Sequence, residues 1–100
     1  MIKGTVLYGH PKDVEVFEKY YAEMHLPLVS KTNGVVKAEY TKFLPGPDGS
    51  SPAYYRMAEL YFDGPVEMQE ALTSPEGQAM AADLSNFATG GVTIVFGTVE

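Results

Sequence analysis

His25 is the residue whose chemistry connects most directly with catalysis. It stands in the run Tyr20-Tyr21-Ala22-Glu23-Met24-His25-Leu26-Pro27, and histidine is the one side chain whose unperturbed pKa lets it accept and donate protons near neutral pH. Pro27 predicts that the preceding helix ends at about Met24 or His25, because proline lacks a backbone donor and disfavours helical geometry in the residue before it. At a helix C-terminus the dipole favours the charged imidazolium. The alternative is that His25 only caps the last carbonyl groups of that helix.

Aromatic side chains form the second candidate set. The sequence has seven tyrosines and five phenylalanines, which could line a pocket for an apolar or aromatic molecule oriented by tyrosine hydroxyls. The tyrosines predicted to contact substrate are Tyr20, Tyr21, Tyr40, Tyr55 and Tyr61. The alternative is that aromatic residues at this spacing form the core or a dimer interface.

Arg56, the only arginine, lies in the middle of a predicted strand. It could hold a carboxylate ligand through two parallel hydrogen bonds. A cross-strand pair with Glu39 or Glu59 is the alternative.

Other chemistries find no support in the residues. The chain has no cysteine and no Gly-x-Ser-x-Gly motif, so it lacks a thiolate or an activated-serine nucleophile. Its glycines follow neither P-loop nor dinucleotide spacing. The second histidine, His10, is expected to be solvated and about 18 Å from His25, at the far end of a helix of about 12 residues. We therefore predict no metal site and no cofactor.

Composition and charge limit the remaining function classes. One hundred residues with 45% hydrophobic and 20% charged side chains indicate one globular domain that spans residues 1–100. The net charge of −6 disfavours a nucleic-acid partner. No apolar run approaches the length of a membrane span, and the first ten residues do not resemble a secretory signal. A cytoplasmic protein is the expectation.

The elements that must position His25 follow from the hydrophobic pattern. Strands are predicted from Ile2 to Tyr8, Val35 to Leu44, Ala53 to Phe62 and Val92 to Val99. An amphipathic helix with Val14, Phe17, Tyr21 and Met24 on its apolar face follows the first strand, and a second helical region, interrupted at Ser74, follows the third.

This β-α-β-β-α-β order predicts an α+β, ferredoxin-like domain, with a four-stranded antiparallel sheet and helices on one face. The last strand is apolar on both alternations, with Ile94 and Phe96 on one side and Val95 and Val99 on the other. We therefore expect a second copy to cover the exposed face in a homodimer.

Four segments make the chain resemble the EthD family of the dimeric α/β-barrel superfamily. They are Tyr21-x-x-x-His25-x-Pro27-Leu28-Val29, Asn33-Gly34-Val35, Ala58-Glu59-Leu60-Tyr61-Phe62-Asp63, and Leu72-x-Ser74-Pro75-Glu76-Gly77 followed by Asp83 and Phe87. The resemblance implies a ferredoxin-like protomer that pairs with a second copy to form a barrel. It places His25 at the family's histidine, and Asp83 and Glu59 at recurring acids.

The resemblance also bears on function. The family is named for a protein required in bacterial ether degradation beside an oxidising system. Its superfamily includes cofactor-independent monooxygenases, lactone isomerases, dehydratases and haem enzymes. The haem branch fits poorly, because the second helical region has no histidine to serve as axial ligand.

Together these observations predict a homodimeric catabolic enzyme that acts on a small apolar or aromatic compound bound between sheet and helices. Removal of a C–H or phenolic proton by His25 would suffice for isomerisation, dehydration or cofactor-independent oxygenation. The last of these is oxidoreductase chemistry of the monooxygenase type. The alternative is a non-catalytic protein that binds a ligand or assists an oxidising system.

Overall fold

The computed structural model describes all 100 residues and confirms the predicted order of elements. The strands are β1 (Ile2–Tyr8), β2 (Lys37–Lys42), β3 (Arg56–Phe62) and β4 (Val92–Thr98). The helices are α1 (Val14–Tyr20), α2 (Leu26–Ser30), α3 (Pro65–Thr73) and α4 (Pro75–Asp83), with a π-helical turn at Tyr21–His25 and a 3₁₀ turn at Leu84–Asn86. None of these helices is both long and apolar enough to cross a membrane.

The four strands form one sheet in the order β2-β3-β1-β4, and every neighbouring pair is antiparallel. Successive side chains of a strand point to opposite faces, so the register decides which residues meet the helices. Gly4 of β1 pairs with Leu60 of β3 on one side and with Phe96 of β4 on the other. The face that these residues share packs against the helices. The predicted α+β ferredoxin-like fold is thereby confirmed.

The core divides into two buried clusters on the helix face of the sheet. The first contains Tyr8, Phe17, Tyr21, Tyr55, Ala58 and Phe87, and the second contains Val29, Leu60, Phe62, Ala71 and Met80. Each large side chain that is fully buried contributes about 1.5–3 kcal/mol to the free energy of folding. The region between the two clusters is where the candidate site lies.

The first helical region ends later than the sequence predicts. The chain does not leave the helix at Met24 or His25 but continues through Pro27 to Ser30. The turn before Pro27 is π-helical, with the Leu26 N–H donating to the Tyr21 carbonyl five residues back. This wider turn precedes the proline, which occupies the first turn of α2, where its missing donor costs least.

The same turn changes which side chain faces the core. Met24, which the helical spacing placed on the apolar face, is 55% exposed, whereas His25 is only 3% exposed. A π-helical turn contains more residues than an α-helical one, so it rotates Met24 towards solvent and leaves His25 on the side of Tyr21. The prediction that His25 contacts the C-terminus of a helix is therefore wrong.

The second helical region breaks at Ser74, as predicted. The Ser74 hydroxyl accepts from the Gly77 N–H and so caps α4. A side chain at position 77 would collide with the Ala71 carbonyl at the end of α3, so glycine allows the two helices to meet closely. This packing directs α4 across the sheet and brings Asp83, its last residue, beside the π-helical turn.

Candidate functional site

A cavity of about 190 Å³ lies between the helix face of the sheet and the helices. Fourteen of its 16 lining residues are hydrophobic, and His25 is the one lining residue outside the hydrophobic and glycine classes. The lining residues are Gly4, Val6, Tyr8, Tyr21, His25, Val29, Tyr40, Ala58, Leu60, Phe62, Leu72, Met80, Ala81, Leu84, Ile94 and Phe96. An engineered apolar cavity of about 150 Å³ holds a benzene molecule. The space therefore suits one small, largely apolar molecule.

The imidazole of His25 is held by Asp83 at the wall of this cavity. His25 Nδ1 lies 3.0 Å from Asp83 Oδ2, and both side chains are buried. A carboxylate can only accept, so Nδ1 carries the proton and the neutral ring keeps its lone pair on Nε2. The Tyr21 ring stacks on the imidazole at a centroid distance of 5.9 Å, and the Phe87 ring lies 4.7 Å away. Together these contacts fix both the tautomer and the orientation of the imidazole.

Asp83 is stabilised as a carboxylate by three donors. Its Oδ1 accepts from the Tyr20 hydroxyl at 2.6 Å and from Asn86 Nδ2 at 3.0 Å, while Oδ2 accepts from His25. Burial by itself raises the pKa of Asp83, but the hydrogen bonds from Tyr20, Asn86 and His25 outweigh it, and the pKa lies below its usual value of 3.8. The acid is therefore ionised wherever the protein is folded near neutral pH.

The pKa of His25 is lowered from its usual 6.5 because burial disfavours the charged ring more than the hydrogen bond and charge of Asp83 favour it. The helix dipole had suggested a charged imidazolium, and that expectation fails because the residue lies within a continuous helical segment. The neutral ring is the form that can take a proton. The alternative that His25 caps carbonyl groups is also wrong, since its hydrogen bond goes to Asp83.

The five candidate tyrosines separate into three groups. Tyr21 and Tyr40 line the cavity with His25, and their rings meet edge to face at 6.3 Å. Tyr20 lies outside the cavity and orients Asp83. Tyr55 packs against Phe17 in the core, as the alternative interpretation expected. Tyr61 lies on the opposite face of the sheet, where its hydroxyl donates to Glu39.

Arg56 is not available to a ligand. Its Nε and Nη2 donate to the two carboxylate oxygens of Glu18 in α1, at 2.9 and 2.8 Å. This pair raises the pKa of Arg56 and lowers that of Glu18. The cross-strand alternative is also wrong, because Glu39 binds Tyr61 and Glu59 pairs with Lys3. The guanidinium lies 5.2 Å from the Tyr21 ring and supports it from outside the cavity.

His10 stays apart from the site. Its Nε2–H donates to the Pro52 carbonyl at 2.7 Å, in the long loop between β2 and β3, and the residue is exposed. No group of three His, Asp or Glu side chains is placed to share a metal ion.

Two contributors to the site escaped the reasoning from spacing alone. Tyr8 closes the cavity from β1, with its ring 5.6 Å from that of Tyr21. Its position on the same face as Gly4 and Val6 was the available signal, because strand residues two apart share a face. Only the family resemblance indicates Asp83, as a recurring acid. Spacing cannot pair it with His25, because 58 residues separate the two.

Comparison with known proteins identifies the class. The EthD domain profile matches residues 10–91, and the chain belongs to the EthD family. An uncharacterised 11.0 kDa protein from the thcB-thcC intergenic region of Rhodococcus erythropolis is 42% identical over 96 residues, covering 96% of this chain and 92% of its own. A crystal structure of an ethyl tert-butyl ether D (EthD) family protein from Bacillus halodurans superposes with a TM-score of 0.93 at 32% identity, covering 100% of this chain and 99% of that one.

Two more distant crystal structures share the fold. A dimeric protein with a ferredoxin-like fold from Bacteroides fragilis has a TM-score of 0.68 at 19% identity, over 98% of this chain and 95% of that one. A protein from Deinococcus radiodurans, suggested to be an antibiotic-biosynthesis monooxygenase, has a TM-score of 0.64 at 12% identity, over 99% of this chain and 91% of that one. At these identities the likeness concerns the fold alone.

Proposed function

We propose that this protein is a cofactor-independent enzyme of small-molecule catabolism in which His25 removes a proton from an apolar or aromatic substrate. The observation that carries the proposal is the pairing of His25 with Asp83 at the wall of an apolar cavity. A neutral imidazole whose tautomer is fixed by a buried carboxylate is a general base with its acceptor nitrogen, Nε2, left for the substrate.

The cavity strengthens such a base. Its walls are almost wholly hydrophobic, and a low-dielectric site intensifies every electrostatic interaction made within it. When Nε2 takes the proton, the ionised Asp83 stabilises the imidazolium that forms, and the Tyr21 and Tyr40 hydroxyls can donate to charge that develops on the substrate. Depending on the substrate, the resulting carbanion can then isomerise, lose water or react with molecular oxygen as a co-substrate.

Exchange of substrate hydrogen for deuterium tests the proposal without a known reaction. Small C–H and phenolic acids that raise the melting temperature in a thermal-shift screen would be incubated in D₂O and followed by NMR. We expect the wild-type protein to accelerate exchange at the acidic carbon of at least one such compound and His25→Gln to abolish it. Equal exchange by both proteins would disprove the role of His25.

A non-catalytic ligand-binding protein that assists an oxidising system is the second candidate. It is favoured by the scarcity of polar groups in the cavity, where His25 is itself 97% covered when no ligand is present. Under this alternative the same compounds bind, but neither the wild type nor His25→Gln accelerates exchange.

We also propose that the domain acts as a homodimer. Strand β4 is exposed on both faces and forms one edge of the sheet. Its exposed apolar residues are Val92, Ile94, Val95 and Phe96, and a long apolar edge strand of this kind requires covering. The dimeric state of the Bacteroides fragilis protein, which shares the fold, supports a second copy as the cover.

A further inference from the structure

The cavity has two chemically different walls. One consists of Tyr8, Tyr21 and Tyr40 next to His25, with the Tyr21 ring 5.6 Å from Tyr8 and 6.3 Å from Tyr40. The other belongs to the second core cluster and presents aliphatic and aromatic carbon, including Leu60, Phe62 and Met80. A molecule that fills the space therefore meets tyrosine rings and the His25 imidazole on one side, and aliphatic, thioether and phenylalanine side chains on the other.

The Tyr21 hydroxyl is buried, and no protein group accepts its proton. Burial raises the pKa of Tyr21 while the Tyr8 hydroxyl, which approaches as a donor, lowers it. Buried hydroxyls are normally paired, because leaving one unpaired loses the hydrogen bond that water would have given it. Tyr21 is 3% exposed, and its ring is fixed by stacking on Phe17 and on His25. The ring therefore cannot easily rotate towards another acceptor. A ligand oxygen can accept the hydrogen bond from Tyr21 that no protein group accepts.

The charges around the cavity determine what kind of oxygen fits. Burial raises the pKa values of Tyr8 and Tyr21, so both hydroxyls remain protonated donors. The nearest permanent cation, Arg56, is already bound by both oxygens of Glu18. A ligand carboxylate would lose its hydration and gain no counter-charge, whereas the oxygen of a neutral carbonyl accepts from a tyrosine at little desolvation cost.

We propose that the substrate is a neutral carbonyl compound of about one ring in size that carries an acidic hydrogen beside the carbonyl, with its oxygen bound by Tyr21. The inference rests on the proposed function and adds the substrate class. His25 Nε2 takes the proton from the carbon, and the C–H electron pair forms the C=C bond of an enolate. The carbonyl π pair moves to the oxygen, whose negative charge receives the Tyr21 hydrogen bond. Return of a proton to carbon completes the cycle without any oxidant or reductant.

The proposed hydrogen-bond donor, Tyr21, and the proposed base, His25, belong to the same helical turn. Tyr21 and His25 are the first and last residues of the π-helical turn, and their rings stack with an interplanar angle of 18°. One turn of the chain thus holds the oxygen-binding group and the proton-accepting group side by side.

Three probes of similar size distinguish the features that could contribute to binding. Cyclohexanone carries a ketone oxygen, toluene is a hydrocarbon, and benzoate carries a negative charge. Binding would be measured by chemical-shift titration, and exchange at the carbons beside the ketone by NMR in D₂O. We expect cyclohexanone to bind at millimolar concentration and benzoate to bind at least tenfold more weakly. Tyr21→Phe should weaken cyclohexanone binding about tenfold, the equivalent of about 1.4 kcal/mol, while toluene binding changes less than about twofold. Tyr61→Phe, on the other face of the sheet, is the matched control.

The outcomes separate the substrate class from the function. If Tyr21→Phe affects cyclohexanone and toluene equally, or if benzoate binds as well as the ketone in the wild type, the inferred substrate class is wrong even where His25→Gln still abolishes exchange. If Tyr21→Phe weakens the ketone selectively but the wild type does not accelerate exchange, the carbonyl-binding role stands and the proposed proton transfer is wrong. Failure of cyclohexanone to bind at all overturns the inference without recourse to any variant.

Discussion

His25 Nδ1 donates to Asp83 Oδ2 at 3.0 Å across 58 residues of sequence, and this hydrogen bond joins the first helical region to the end of α4. Neither residue would be informative alone. A buried histidine is frequently structural, and an aspartate at a helix end is frequently a cap. Their pairing at the wall of an apolar cavity holds a neutral imidazole in one tautomer.

Asp83→Asn tests that pairing. The amide can present its NH₂ group to Nδ1, which favours the tautomer with the proton on Nε2 and removes the acceptor that the substrate needs. We expect deuterium exchange to fall about 10- to 100-fold, the range found when metal-bound histidines lose the group that orients them, with little change in ligand affinity. Asn86→Ala removes a different donor to Asp83 and should have a much smaller effect. Full exchange in Asp83→Asn would contradict the positioning role.

The pH dependence of exchange follows from the lowered pKa of His25. The base is active only when neutral, and burial moves its protonation below the usual 6.5. The rate of exchange should therefore rise with pH, with its midpoint below pH 6.5. A profile measured by NMR at constant ionic strength checks this, and a midpoint above 6.5 would indicate a charged imidazolium in the free protein.

Stability should depend on pH through the same residue. Because the pKa of His25 is lower in the folded state than in the unfolded state, the unfolded chain binds more protons in this range and stability rises with pH. The free energy of unfolding should decrease as pH falls below 6.5 and stop decreasing below the folded-state pKa. Asp83, whose pKa is also lowered, adds a separate loss as pH falls below 3.8. Urea titrations of the wild type and His25→Gln would measure the first loss, which should be absent from the variant.

Tyr21→Phe is expected to stabilise the ligand-free protein. The substitution removes a buried hydroxyl whose proton has no acceptor in the protein and keeps the ring contacts with Phe17 and His25. A gain of about 1 kcal/mol corresponds to a rise of about 4–8 °C in melting temperature for a domain of this size. Calorimetry without ligand is the measurement. A lower melting temperature would mean that the hydroxyl is satisfied in solution.

Val95→Lys tests the proposed homodimer. Val95 lies in β4 on the face opposite the cavity and is 52% exposed in the isolated chain, so a lysine there disturbs neither the core nor the site. Sedimentation should show a dimer for the wild type and a monomer for the variant. Val66→Lys, at a helix position that is 64% exposed, should leave the dimer intact. A wild type that sediments as a monomer at micromolar concentration would contradict the proposal.

The order of elements and the sheet class could be predicted from the amino-acid sequence, and His25 could be named as the candidate base. The β-prone runs of β1, β3 and β4 and the Ser74 cap are local signals, and here the tertiary packing agrees with them. Family membership could be predicted for the same reason, because its motifs are short segments such as Tyr21-x-x-x-His25-x-Pro27.

The burial and the hydrogen-bond partners of those residues depend on the tertiary structure. The π-helical turn buries His25 and exposes Met24, whereas spacing rules assume a regular turn. It lies where Tyr21 packs on Tyr8 and Phe17, shortly before Pro27. The partners of Arg56 and Asp83 lie 38 and 58 residues away. Pairings over such separations depend on how helices cross the sheet, and no pattern in the sequence specifies that geometry.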